Sequence, residues 1–287
     1  MPIPLLFSVF LIFFSSVSSF QHLETSQPLV ISPPQDPFLN PSGKTIHDRI
    51  LTPECFERIP VQENSFAQYL RNLPLKPHGS DVRLYNGQVK TNQVHVAVVD
   101  MEIGSNDLQQ CADAVIRLRA EYLHGRKLYG LIHFNFTNGF RADYVQWARG
   151  YRIEVKDNQA RWVWTKEPST DYVAFRKYLD VVFTYAGTFS LSQEMARADW
   201  KDIQPGDVLI RGGSSGHAVI VVDVAVNHST GKMIFLLAQS YMPAQDIHVL
   251  KNPSDPSLSP WYEVDPDAEL IRTPEWDFNT DELRRFR

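Results

Sequence analysis

Residues 205–224 constrain the fold of this chain most, because two apolar runs follow one another there with only a glycine-rich connection between them. The first run is Val208–Ile210 and the second is Ala218–Val224. Short aliphatic and β-branched runs between turn residues are typical of buried strands. His217 stands at the start of the second run, so we expect a titratable ring fixed by a sheet and open to a cleft. Such a group suits general-base chemistry near neutral pH.

The next apolar run, Met233–Ala238, predicts the partner strand of an antiparallel hairpin, because turn residues separate it from the strand that begins at His217. We expect the loop to close near Val226 and Gly231. That register makes either residue 239 or residue 240 face the histidine.

Gln239 and Ser240 are therefore the candidate partners of His217. Facing residues have Cβ atoms about 5 Å apart, so the amide oxygen of Gln239 would hold one imidazole nitrogen and fix its tautomer. Asp223 is excluded from this role, since six residues along one strand span about 20 Å.

Cys111 is the candidate nucleophile. It lies in the segment Leu108–His124, whose apolar residues recur at helical spacing after a capping cluster that contains Asn106 and Asp107. A thiol near the positive end of a helix has a lowered pKa. We expect the helix to pack on the face of the strand that carries His217, with the thiol within about 4 Å of the imidazole.

Donors for a developing oxyanion are present in the same segment. The backbone N–H of Cys111 and the side chain of Gln110 or Gln109 lie near the predicted helix start, where N–H groups have no intrahelical acceptor. The predicted site consists of Cys111, His217 and Gln239, with Gln110, Gln109 and Ser240 as secondary contributors.

Helical and strand-like segments separate along the chain. Most helical segments precede residue 200, whereas the last third consists mainly of apolar strands. This order predicts an α+β fold in which helices pack on an antiparallel sheet. A chain of 287 residues that is 43% hydrophobic can bury a substantial core. We predict a single domain from residue 46 to residue 287.

The N-terminal residues predict export. Leu5–Phe14 is apolar except for Ser8; this run is too short to span a bilayer and has the length of a signal-peptide core. Small residues at positions 17 and 19 place the cleavage before Phe20. We expect residues 1–19 to be a signal peptide, residues 20–45 to be a flexible lead, and the mature chain to be periplasmic or extracellular without a transmembrane segment.

Charge and cysteine content limit the classes of partner. The net charge of −5 provides no basic surface for nucleic acid. His95, His133 and His248 lack the spacing of metal ligands, so neither a metal nor another cofactor is expected. Two cysteines in an oxidising compartment favour a disulfide between Cys55 and Cys111, which competes with a catalytic Cys111.

The order of cysteine on a helix, histidine at a strand start and polar residue on the next strand resembles the NlpC-like and CHAP-like papain-fold amidohydrolases. In that group the strand before the histidine often begins with Gly-Asp, as Gly206-Asp207 does here. The resemblance implies a papain-like (NlpC-like) core. It also implies Cys111 as nucleophile, His217 as base and Gln239 as orienting residue, with cell-wall peptides as the substrate class.

A closer resemblance covers almost the whole mature chain. The phrases at residues 108–123, 133–140 and 236–248 are similar to those of a bacterial family, the domain of unknown function 4846. That family brings no established activity. Its members usually have glycine at the position of Cys55, which implies that a disulfide to Cys111 is not a general feature of the fold.

Two classes of function follow. The first is an exported cysteine hydrolase that acts on peptide or amide bonds, with a peptide or cell-wall-derived substrate. The second is a non-catalytic exported binding or scaffold protein of the same shape.

Overall fold

The structure, a computed structural model, describes residues 1–2 and 37–287. The predicted signal peptide therefore lies outside the described residues except for its first two. Residues 37–287 belong to one compact unit. Its helices are α1 (Ile46–Arg49), α2 (Phe66–Arg71), α3 (Cys111–Gly125), α4 (Tyr144–Ala148), α5 (Tyr172–Tyr185) and α6 (Thr188–Glu194).

Most strands of the described residues have two to four residues, and the longest is the ten-residue strand that begins at His217. The strands are β1 (Glu57–Arg58), β2 (His95–Val98), β3 (His133–Asn135), β4 (Arg141–Asp143), β5 (Tyr151–Lys156), β6 (Gln159–Trp164), β7 (Ala196–Arg197), β8 (Val208–Arg211), β9 (His217–Val226), β10 (Met233–Gln239), β11 (His248–Leu250), β12 (Tyr262–Glu263), β13 (Leu270–Arg272), β14 (Asp277–Asn279) and β15 (Leu283–Arg285).

Nine strands of the described chain form one antiparallel sheet. Its path is β2-β11-β10-β9-β8-β15-β7, with β1 paired to β9 and β12 paired to β10. Three two-stranded hairpins, β3–β4, β5–β6 and β13–β14, lie outside it. The predicted α+β class, with helices packed on an antiparallel sheet, is confirmed.

The hairpin of β9 and β10 forms as predicted, but its register is shifted. Val226 faces Met233 rather than Gly231, because residues 227–232 make up the loop. A bulge then leaves Val222 without a facing residue. Continued past the end of β10, this register sets Tyr241 opposite His217, so residue 239 lies one diagonal step from the imidazole.

Side chains of β9 alternate between two cores. Ala218 and Ile220 belong to the larger core, which also contains Val115 and most of the other buried residues of α3. Val219 and Val221 belong to a smaller core on the other side of the sheet. We call these sides the helix face and the opposite face, and successive residues of a strand point to different ones.

The chain joins the fold earlier than the sequence predicts. Leu39 forms a β-bridge with Ile50, and the carbonyl oxygen of Gly43 accepts from Arg49 Nε at 2.8 Å. The prediction of a flexible lead is thus wrong for residues 37–45. Backbone pairing and a buried guanidinium hold this segment, neither of which its proline content reveals.

Both cysteines are free in the structure, so the alternative of a Cys55–Cys111 disulfide, which would compete with a catalytic Cys111, is not observed. Cys55 is exposed and has a φ angle of 66°. A left-handed backbone costs a residue with a Cβ about 1–2 kcal/mol, whereas glycine adopts it freely.

Replacing Cys55 with glycine is expected to leave the free energy of unfolding unchanged or to raise it by up to about 1 kcal/mol. Replacement with valine is expected to lower it, because a β-branched residue fits this conformation poorly. Urea unfolding of the two variants measures the difference. A loss of stability on the change to glycine would contradict the prediction.

Candidate functional site

Cys111 is the first residue of α3, so the helix begins one turn later than its apolar periodicity predicts. The Asp113 carboxylate accepts a hydrogen bond from the backbone N–H of Gln110 at 3.0 Å, and Gln110 is the last residue before the helix. Asp107, the predicted cap, instead accepts from the backbone N–H of Ala244 at 2.6 Å. The thiol is therefore placed at the very start of the helix rather than one turn inside it.

A cleft of about 590 Å³ opens at this helix start. The residues that line it include Cys111, Asp113, Trp276 and the loop Gly213–Gly216. A Cβ atom on Gly216 would lie 2.4 Å from the carbonyl oxygen of Arg211, so only glycine permits this turn from β8 into β9. The glycine-rich connection thus brings backbone close to the thiol.

The environment of the Cys111 thiol keeps it protonated. Burial and the neighbouring Asp113 carboxylate raise the pKa of Cys111 to about 11, although backbone N–H groups of Ala112, Ala218 and Cys111 itself point at the sulfur and lower it. The predicted lowering of the Cys111 pKa is therefore wrong. The helix start supplies its N–H groups as expected, but loss of water around the sulfur outweighs them.

His217 lies on the opposite face of the sheet. Its neighbour Ala218 belongs to the helix face, and the His217 ring packs against Phe278 of the smaller core with ring centroids 5.9 Å apart. The prediction that α3 packs on the His217 face is therefore wrong. Among the described residues no hydrogen bond links the Cys111 sulfur to the imidazole, and their expected 4 Å separation stays a prediction.

Gln239 holds the His217 ring. Its Oε1 lies 2.8 Å from His217 Nε2, and both side chains are buried. Burial lowers the pKa of His217 to about 4, although the Gln239 hydrogen bond and the charge of Glu275 act in the other direction. The imidazole is consequently neutral at pH 7, as a general base must be before it accepts a proton.

Cys111 and His217 share neighbours at the start of β9. The backbone N–H of Ala218 points at the Cys111 sulfur. Trp276 lines the cleft with Cys111, and its ring lies 5.6 Å from the His217 ring. Tyr241 lies 4.9 Å from the His217 ring and interacts electrostatically with Cys111. The two side chains thus approach one strand end from the two sides of the sheet.

The secondary contributors separate into different environments. Gln110 lines the cleft, but the Gln109 side chain is fully buried and its Oε1 accepts from Arg117 at 2.7 Å. Ser240 Oγ lies 2.9 Å from the carbonyl oxygen of Gln109 and 2.8 Å from that of Gln245. Ser240 therefore ties the start of α3 to the sheet and is not the partner of His217.

Two residues beside the predicted site have no signal in the sequence. Glu275 Oε2 accepts from Gln239 Nε2 at 2.7 Å, and Glu275 Oε1 accepts from Lys90 Nζ at 2.8 Å. They come from loops far apart in the chain, so no spacing or periodicity connects them with Gln239.

Asp223 is occupied elsewhere, as its distance along β9 predicts. It pairs with Arg58 and Arg71 on the helix face.

Within residues 1–2 and 37–287 no cluster of three histidine, cysteine or acidic residues could hold a metal ion. A search of the same residues for a helix long and apolar enough to cross a membrane finds none.

Comparison with known proteins places the chain in a family. No curated protein matches it, and no solved structure does, so the papain-like architecture has no support from a structural neighbour. The model of one family, the domain of unknown function 4846, matches residues 46–285. That match spans most of the chain and all six helices, and the protein therefore belongs to the domain of unknown function 4846 family.

Proposed function

We propose that this protein is an exported cysteine hydrolase with a papain-like arrangement of Cys111, His217 and Gln239, acting on peptide or amide bonds. The observation that carries the proposal is the junction of α3 and β9. A thiol at a helix start lines an open cleft there, and the backbone amide of Ala218, which follows a histidine held by Gln239, acts to lower the pKa of that thiol.

The proposed reaction starts from a neutral thiol and a neutral imidazole. His217 takes the proton of Cys111 as the sulfur attacks the substrate carbonyl carbon, so a C–S bond forms and the carbonyl oxygen gains negative charge. The backbone N–H of Cys111 and the side chain of Gln110 stabilise that charge. His217 then protonates the leaving amine as the C–N bond breaks, and water hydrolyses the resulting thioester.

The shape of the cleft favours an extended, flexible substrate. The residues that line it include the glycine-rich loop and the apolar residues Met242 and Trp276. Backbone and apolar walls suit a peptide chain, whose amides bond to backbone groups while its side chains pack. Together with the predicted signal peptide this favours cell-wall peptides outside the cytoplasm as the substrate class.

Digestion of peptidoglycan fragments and of peptide anilides by the full-length protein tests the proposal. New amino groups are expected, with turnover below one hundredth of wild type in Cys111→Ser and His217→Ala. Cys55→Ser is the matched control, because its thiol is exposed and outside the cleft. Intact-mass measurement of the wild-type protein mixed with an activated ester should show an acyl adduct on Cys111. Absence of both cleavage and adduct overturns the hydrolase.

The raised pKa of Cys111 and the lowered pKa of His217 favour the second candidate, a non-catalytic binding protein. A thiol and an imidazole with these pKa values do not exchange a proton in the absence of substrate. Under this alternative the same peptides bind in the cleft without cleavage, and Cys111→Ser leaves their affinity unchanged. Calorimetric titration of the wild type and the variant separates the two candidates.

A further inference from the structure

We propose that Lys90, Glu275 and His248 are positioning residues which fix Gln239 so that His217 carries its proton on Nε2 and presents Nδ1 as the base. This inference deepens the proposed hydrolase function and names residues outside its catalytic trio. It depends on a chain of hydrogen bonds in which each group has only one possible role.

The contacts of the His248 ring determine its tautomer. His248 is fully buried, and its Nδ1 lies 2.9 Å from the carbonyl oxygen of Asp246. A carbonyl oxygen only accepts, so Nδ1 carries the hydrogen. Burial lowers the pKa of His248 to about 3, which keeps the ring neutral at pH 7. The remaining nitrogen, Nε2, is therefore an acceptor.

Two acceptors determine the orientation of the Gln239 amide. Its Nε2 lies 2.7 Å from Glu275 Oε2 and 3.4 Å from His248 Nε2. Both of these atoms are acceptors, so the NH₂ group must face them and the amide oxygen must face the other way. A flipped amide would set its oxygen against a carboxylate at the same distance, which is repulsive.

The orientation of Gln239 in turn determines the tautomer of His217. The Gln239 Oε1 atom lies 2.8 Å from His217 Nε2 and can only accept. His217 Nε2 must therefore carry the hydrogen, and in the neutral ring Nδ1 then keeps its lone pair. In the described part of the chain no protein group bonds to His217 Nδ1. That nitrogen is the one free to receive a proton.

Lys90 keeps Glu275 in place. Their ion pair is 2.8 Å long, with side chains only 8% and 11% exposed, and the Lys90 ammonium also lies 5.1 Å from the centre of the Tyr241 ring. A carboxylate in such surroundings needs a cationic partner. Tyr241 and Trp276 complete the surroundings of His217 without adding a competing acceptor at its ring.

The ¹⁵N chemical shifts of the His217 ring measure its tautomer directly in full-length protein labelled with ¹⁵N-histidine. In the wild type at pH 7 we expect the Nε2–H form alone. In Lys90→Met/Glu275→Leu the amide loses its shorter acceptor contact, to Glu275, at no net change of charge and keeps only the 3.4 Å contact with His248 Nε2, so a mixture of the two tautomers is expected. Lys90→Met/Glu275→Gln keeps an acceptor oxygen and should restore the wild-type form.

The surface pair Lys232–Glu263, also 2.8 Å long but with side chains 57% and 41% exposed, provides the control. Lys232→Met/Glu263→Leu should leave the His217 shifts unchanged. Nδ1–H in the wild type would overturn the inference, as would an unaltered tautomer in the leucine variant. If the leucine variant unfolds, the glutamine variant decides: loss of the Nε2–H form despite a native amide spectrum also overturns it.

The ¹⁵N shifts of the His217 ring can be measured without turnover, so their outcome is independent of the proposed hydrolase function. If no peptide is cleaved while the tautomer follows the expected pattern, the proposed function fails and the positioning of His217 stands. Where a peptide is cleaved, the leucine variant should lower kcat by about tenfold with KM within about twofold, because a misplaced base affects the chemical step.

Discussion

Replacing Asp223 with alanine should lower the free energy of unfolding by about 3–5 kcal/mol. The Asp223 side chain is fully buried in β9 and pairs with Arg58 at 2.5 Å and with Arg71 at 2.7 Å. It also accepts from the backbone N–H of Val224 at 2.9 Å. Removal leaves two largely buried guanidinium groups without their carboxylate.

The bulge in β9 explains why this carboxylate reaches two arginines. After the unmatched Val222, the side chain of Ala225 belongs to the larger core, so Asp223 projects to the same helix face. Arg58 lies in β1 and Arg71 ends α2. Asp223 thus joins two N-terminal elements to the central strand.

Urea unfolding of the full-length protein followed by tryptophan fluorescence measures the loss. Asp223→Asn should be intermediate, since its oxygen still accepts one hydrogen bond but carries no charge. Glu154→Ala is the matched control, because Glu154 and Arg161 form an exposed pair that contributes about 0–1 kcal/mol. Equal losses in Asp223→Ala and Glu154→Ala would contradict the prediction.

Replacing Asp113 with asparagine should stabilise the protein at alkaline pH and make Cys111 more reactive. Burial raises the pKa of Asp113 to about 8, and its Oδ1 has no partner among the described contacts. Asparagine keeps an oxygen for the Gln110 N–H and cannot ionise. It also removes the negative charge that helps to raise the pKa of Cys111.

The sign of the pH dependence follows from proton binding. Between pH 3.8 and about 8 the unfolded chain loses the Asp113 proton while the folded protein keeps it. Stability therefore falls as pH rises through this window and levels off above it. At about 1.4 kcal/mol per pKa unit the cost reaches up to about 6 kcal/mol, and the asparagine variant avoids it.

Thermal and urea unfolding at pH 5 and pH 9 measure this effect, with a gain expected only at pH 9. Asp171→Asn is the control, because Asp171 also accepts from a helix-start N–H, at 2.6 Å, but is exposed and has a lowered pKa. Iodoacetamide should alkylate Cys111 faster in Asp113→Asn, measured in a Cys55→Ser background. An equal rate at pH 8.5, or an equal gain at both pH values, would count against the prediction.

Local sequence signals were sufficient for the elements that carry the site. Apolar runs and turn residues predicted β8, β9 and β10, and they brought Gln239 to His217 although the loop closed two residues later than expected. The start of α3 was predicted one turn too early. The sequence offers Asp107 as a cap, but Asp107 binds the backbone N–H of Ala244, and Asp113 instead binds the backbone N–H of Gln110, just before the helix.

The sequence by itself determined the α+β order and the contact of Gln239 with His217, because strand alternation and helix periodicity act over a few neighbouring residues. Three phrases of the sequence indicated the family, whereas the joint catalytic role of Cys111, His217 and Gln239 stays a prediction. Tertiary structure alone decided the sheet face of His217, the pKa values of Cys111 and Asp113, and the contacts of Gln239 with Glu275 and Lys90. Burial and ion pairing depend on segments that meet only after folding. Glu275 reaches Lys90 across 185 positions of the chain.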